Sequence, residues 1–169
     1  MIAMPVQRLI EVMGKLNDIH EELVGLAERK RDALIKNQVD EVSAITNKET
    51  RLMRMVGELL QEQQAATVDF FRTKGFQPTR EVTVTELSRI VTDPKQKEAL
   101  LAARDRLTEA IQVLKKKNDL NQQLIKQSLE FINYSMNLVL GPDEEPTYKN
   151  PASRSYDTTK RSGFFDSRA

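Results

Sequence analysis

Apolar and small residues recur in steps of three and four near the amino end, at Leu9, Val12, Leu16, Ile19, Leu23, Leu26 and Ala33. The polar tripeptide Lys36-Asn37-Gln38 interrupts the pattern and suits a tight turn between helices. The same steps resume at Val42, Ile45, Leu52, Val56, Leu59, Ala66 and Phe70. Spacing of this kind is the seam of a packed helix pair. Folding the chain back at 37–38 makes facing positions total about 75. That register sets Ala33 against Val42, Leu23 against Leu52, Ile19 against Val56 and Leu16 against Leu59. It also sets Leu26 against Glu49 and Val12 against Gln63, so the predicted seam is not wholly apolar. Gly14, Gly25 and Gly57 fall off it, with no packing role.

Proline stands at 5, 78, 94, 142, 146 and 151, which leaves 6–77 and 95–141 free of it. Gly75 to Pro78 end the second helix. A short third helix follows, with Thr83 as N-cap and Glu86 at capping-box spacing. Asp93-Pro94 marks a strong restart, Asp as N-cap and Pro in the first turn. The next seam reads Leu100, Ala103 or Arg104, Leu107, Ile111, Leu114, Asn118, Asn121, Ile125, Leu129, Ile132, Met136 and Val139. Gly141-Pro142 stops it. The prediction is an all-α fold with helices at about 6–36, 40–74, 84–91 and 94–140. An elongated antiparallel hairpin and a third long helix make a helical domain over 1–140. Residues 141–169 are polar, with five acidic and five basic side chains, and read as a flexible tail. Phe164 and Phe165 are out of character there.

Composition fits long, solvent-washed helices: 30% charged residues, 5% aromatics and no Trp in 169 residues. Lys plus Arg number 26 against 25 acids, and a net charge of +1 argues against nucleic acid as partner. Absence of Cys excludes disulfides and thiolate zinc sites. The amino terminus lacks a continuous apolar signal region, and no run of 18 apolar residues occurs, so a cytoplasmic protein with no membrane insertion is expected.

Candidate chemistry is sparse. His20 precedes Glu21-Glu22, but a zinc-protease helix needs a second His where Val24 stands, and a di-iron bundle needs a carboxylate where Asn17 stands. It reads as an ordinary helix-face residue. The basic runs Arg29-Lys30-Arg31 and Lys115-Lys116-Lys117 are offset by nearby acids and read as solvated faces. No Gly-rich phosphate loop is present. No catalytic residue, metal ligand or cofactor site is expected.

The end of the last helix carries more. Between Leu129 and Leu140, eight of twelve residues are large and apolar, covering more than one face. Such a segment is either buried on two sides or awaits a partner. The last helix exceeds the hairpin arms by about ten residues, some 15 Å at 1.5 Å per residue. If it starts near the open end of the hairpin, its final turns project past the tip. The alternatives are packing on the 76–93 linker or on another copy of the chain. Asn118 and Asn121 interrupt the same seam: either they are buried and set register, or the seam drifts to solvent there.

At these residues the chain resembles the FlgN family of flagellar type III export chaperones. The resemblance rests on Leu-Ile-Lys-Asn-Gln at 34–38, Lys-Lys-Lys-Asn-Asp-Leu-Asn-Gln-Gln-Leu at 115–124 and the apolar helix end. Glu145-Pro146-Thr147-Tyr148 and the terminal Phe-Asp-Ser-Arg-Ala, similar to relatives from Bacillus-type bacteria, add to it. It implies a cytosolic chaperone for the hook–filament junction proteins FlgK and FlgL that keeps them unpolymerised and delivers them to the export apparatus. It further implies cargo binding by Asn118, Asn121, Ile125, Leu129, Ile132, Met136 and Val139, with an amphipathic cargo helix laid on the seam. Tyr148 matches the family's docking position for the export-gate protein, with Tyr156 as competitor. The alternative is a coiled-coil or adaptor protein that self-associates through the same seam; a homodimer and cargo binding are compatible.

Overall fold

Among residues 5–78 and 80–141, which the computed structural model of the chain describes, every regular element is a helix. The order is α1 (Pro5–Ile35), α2 (Val39–Thr73), α3 (Val84–Ser88) and α4 (Pro94–Leu140). Pro5 opens α1, at a position where a missing N–H costs nothing. The chain divides into two compact units, Met1–Gln127 and Ser128–Ala169. All four helices contribute to the first, and the last turns of α4 open the second.

The helix ends follow local chemistry. Asn37 adopts a left-handed φ of 55°, and Gln38 N–H donates to the Ala33 carbonyl at 2.9 Å while Asn37 N–H donates to Leu34. Asn tolerates this conformation, so the α1–α2 turn is a Schellman cap built on an Asn. Gly75, at φ 82°, repeats the motif at the end of α2. There Phe76 N–H reaches the Phe71 carbonyl at 2.9 Å, and the two rings meet edge to face at 6.4 Å. That aromatic contact is the apolar clasp that accompanies such a cap. Lys95 N–H donates to Asp93 Oδ1 at 3.0 Å, so Asp93 caps α4 with Pro94 in its first turn.

Helix α3 depends on its capping box. Thr83 Oγ1 accepts from Glu86 N–H at 3.1 Å, and Glu86 Oε2 accepts from Thr83 N–H at 3.3 Å. The α-helix ends at Ser88, and tighter three-residue turns carry the chain to Ile90, short of the expected 91. The Arg80 guanidinium donates to Glu86 Oε1 at 3.0 Å. That bond, with the Thr83 N–H behind it, holds the Glu86 carboxyl below the usual carboxylate range. A depressed folded-state pKa stabilises α3 fully above the unfolded value and ceases to do so as pH falls through the lowered one. The helical Cα shifts of Thr85 to Ser88 should therefore hold above about pH 5 and decay on further acidification. Glu86→Gln should remove that decay.

Three ion pairs tie the hairpin arms together: Arg8–Asp69, Lys30–Glu49 and Arg29–Glu41, whose residue numbers total 77, 79 and 70. These totals fall on both sides of the expected 75, because long charged side chains reach along the helices as well as across them. Glu49, expected opposite Leu26, finds its partner in Lys30 at 2.9 Å.

Helix α1 is central to the first unit. Its buried residues include Met13, Asn17, His20 and Ala27 besides the predicted seam. Together they span an arc of roughly 200° at 3.6 residues per turn. One side meets α2; the other meets α4, where Arg106 pairs with Glu21, Lys117 with Glu28, and Asn121 with Ala27. The partners are separated by 85 residues at Glu21 and by 94 at Ala27; later residues of α1 meet later residues of α4, so the two helices run in the same direction. The thickest core lies at the open end of the hairpin, where Leu9, Met13 and Leu16 join Phe70, Leu87 and Leu100 in one cluster. Ile111, expected in the α4 seam, is 44% exposed, and half-buried Ala110 occupies the inner position.

Gly57 sits in mid-helix, and a Cβ there would meet nothing within 4 Å. Gly57→Ala should raise stability by about 1 kcal/mol, read as a higher urea midpoint at unchanged slope.

Candidate functional site

The described residues offer little to chemistry. No group of three or more His, Cys, Asp or Glu among them could hold a metal. His20 is buried, and its Nδ1 donates to the Leu16 carbonyl one turn back at 2.7 Å, so it is tied to its own helix. The basic runs are partly neutralised by Arg29–Glu41, Lys30–Glu49 and Lys117–Glu28. Among the described residues no helix is long and apolar enough to cross a membrane.

What stands out is the carboxy-terminal part of α4. Leu129, Phe131, Ile132, Tyr134, Met136, Leu138, Val139 and Leu140 are all exposed, from 39% at Met136 to 82% at Val139. Glu130 is the only charged residue in that stretch. Its helical form is local: residues 129–140 contain neither Gly nor Pro, and Gly141 ends the helix at φ 89° with its N–H on the Asn137 carbonyl at 2.9 Å. Phe131, Ile132, Ser135, Met136, Val139 and Leu140 line a shallow apolar groove along it.

The seven seam residues singled out from the sequence occupy an arc of roughly 80° on α4, the same side as Leu100 and Leu107. Their environments differ. Asn118 is exposed, whereas Asn121 is buried and donates its amide to the Ala27 carbonyl at 2.9 Å. Of the two alternatives for the Asn pair, Asn121 takes the buried one and Asn118 the solvated one. Ile125 is half-buried in the first unit. Leu129, Ile132, Met136 and Val139 lie in the second unit, and the last three border the groove. Phe131 and Leu140 border it as well, although seam spacing alone passed over them. Tyr148, Tyr156 and the terminal Phe residues lie outside the described residues.

Asn121 also leaves its Oδ1 buried without a partner. Asn121→Leu should remove that unsatisfied acceptor and add apolar contact, raising stability by about 1 kcal/mol. Calorimetric melting should show a midpoint a few degrees higher.

Comparison with known proteins agrees with a whole-chain relationship. The family model described as FlgN protein matches residues 1–155. Over 166 residues the chain is 25% identical to the uncharacterized protein YvyG of Bacillus subtilis (strain 168), covering 98% of this chain and 100% of that protein. No solved structure matches the chain.

Proposed function

The chain belongs to the FlgN family, a family of flagellar export chaperones, and on that premise we propose that it binds flagellar hook–filament junction proteins of the FlgK and FlgL type in the cytoplasm. The observation that supports this reading is the run of exposed large apolar residues at Leu129–Leu140. Monomeric soluble proteins rarely leave so contiguous an apolar surface in water unless something binds there. Leu129, Ile132, Met136 and Val139 form the proposed cargo face. An amphipathic cargo helix would lay its apolar side along the groove, with anchors at helical spacing.

Such a chaperone works by mass action, without covalent chemistry. It must hold the subunit tightly enough to prevent assembly and still release it at the gate. Affinity on the order of micromolar, about −8 kcal/mol, meets both needs. The export-gate contact assigned to Tyr148 belongs to the same reading, as delivery would require a second docking element apart from the cargo face.

Titration calorimetry of the full chain against the carboxy-terminal segments of FlgK and FlgL tests the proposal. Saturable binding near one-to-one with a negative heat-capacity change is expected, the signature of apolar burial in a specific groove. Absence of heat and of co-elution, together with a dimer mass in solution, would transfer the face to self-association and overturn the chaperone reading.

A further inference from the structure

We propose that, without cargo, the apolar face of α4 between Leu129 and Leu140 is covered by the chain's own segment 142–169, with Phe164 and Phe165 as anchors. The inference deepens the proposed function by adding regulation of the same face; it rests on that face being a binding surface, not on the identity of the cargo.

Four observations favour this occupant. The face carries eight exposed large apolar side chains and one charge, so any covering that removes them from water is favourable. The segment begins where the face ends: Gly141, left-handed at φ 89°, turns the chain out of the helix, and Pro142 cannot continue it. The segment's large apolar residues are four aromatics, Tyr148, Tyr156 and the pair Phe164-Phe165, at intervals of eight in a polar background. Its five acids and five bases cancel, so neither attraction nor repulsion of net charge opposes an apolar contact with a nearly uncharged face.

Length does not limit the contact. The 22 residues between Gly141 and Phe164 span up to roughly 70 Å when extended. The face itself is about 18 Å long at 1.5 Å per residue. A tether of that size sets an effective concentration of the aromatic pair in the millimolar range. Even a weak contact is then populated, and cargo must displace it. The apparent cargo affinity falls in proportion to the fraction of open face. Removing 142–169 should therefore tighten cargo binding by about three- to tenfold.

The test needs no cargo. The chain has no Cys, so Ser167→Cys gives a single site for a nitroxide label in the full-length protein. Methyl NMR should then show broadening of Ile132 and Met136 at least fivefold greater than that of Met53 and Met55. The latter two are exposed on α2 and serve as controls. Phe164→Ser with Phe165→Ser in the labelled protein should abolish the difference. Broadening of Met136 no greater than that of Met53 would overturn the proposal. So would broadening that survives the double substitution, or that appears only when spin-labelled and isotope-labelled chains are mixed. Failure of the cargo reading is a separate result: silent calorimetry alongside intact broadening would leave the self-cover standing.

Discussion

Ile132→Asp is expected to weaken binding of the FlgK and FlgL segments by more than a hundredfold while leaving the fold as it is. Ile132 lines the groove of α4 and is 51% exposed in the free protein. With the face open, a state the charge itself favours over cover by 142–169, the new carboxylate stays in water. Its cost there is only the lower helix propensity of Asp, below about 1 kcal/mol. In the complex the same carboxylate would face the apolar side of a cargo helix with no partner. Desolvating an unpaired charge costs several kcal/mol, and 3 kcal/mol already exceeds two decades of affinity. Calorimetry should thus lose its heat, while far-UV circular dichroism and the melting midpoint stay within error of the parent. Ile132→Leu keeps apolar area and should bind within about threefold of the parent, which separates charge from shape. Undiminished affinity in Ile132→Asp would remove the groove from the cargo site.

The second large effect lies in the first unit. Leu16→Ala should destabilise the first unit by about 3 kcal/mol, since Leu16 has no exposed surface and belongs to the cluster joining α1, α2, α3 and α4. The substitution removes three carbons from a site walled on all sides by other elements, so the cavity cannot collapse fully. A loss of that size should lower the melting midpoint by about 10 °C in a chain of this length. Leu138→Ala makes the same chemical change at a residue 68% exposed and should move stability by less than about 0.5 kcal/mol. Equal effects at the two positions would contradict the division between a packed open end and an exposed helix end.

These two residues differ in how far the pattern alone reveals them. Leu16 is one step in a run of three- and four-residue spacings, and that spacing implies burial once any partner helix exists. Ile132 has the same spacing relative to Leu100 and Leu107, yet it is exposed. Spacing marks which side of a helix is apolar; it does not say how far along the helix a neighbour continues. Asn118 and Asn121 make the same point with polar side chains. Their spacing in the seam is equivalent, and only the packing of α4 on α1 buries Asn121 against the Ala27 carbonyl and leaves Asn118 in water.

Local chemistry was decisive where it acts through nearest neighbours. Asn37, Gly75, Thr83 with Glu86, Asp93 with Pro94, and Gly141 each end or begin a helix through bonds spanning five residues or fewer, which is why the all-α character and the helix limits could be read directly. Relations between helices were not readable in that way. The ion pairing of the hairpin arms, the burial of Met13, Asn17 and His20 on a second side of α1, and the parallel run of α4 along α1 depend on which surfaces meet. Many registers satisfy a three-four repeat almost equally, and only the simultaneous fit of apolar area, ion pairs and one buried amide selects among them.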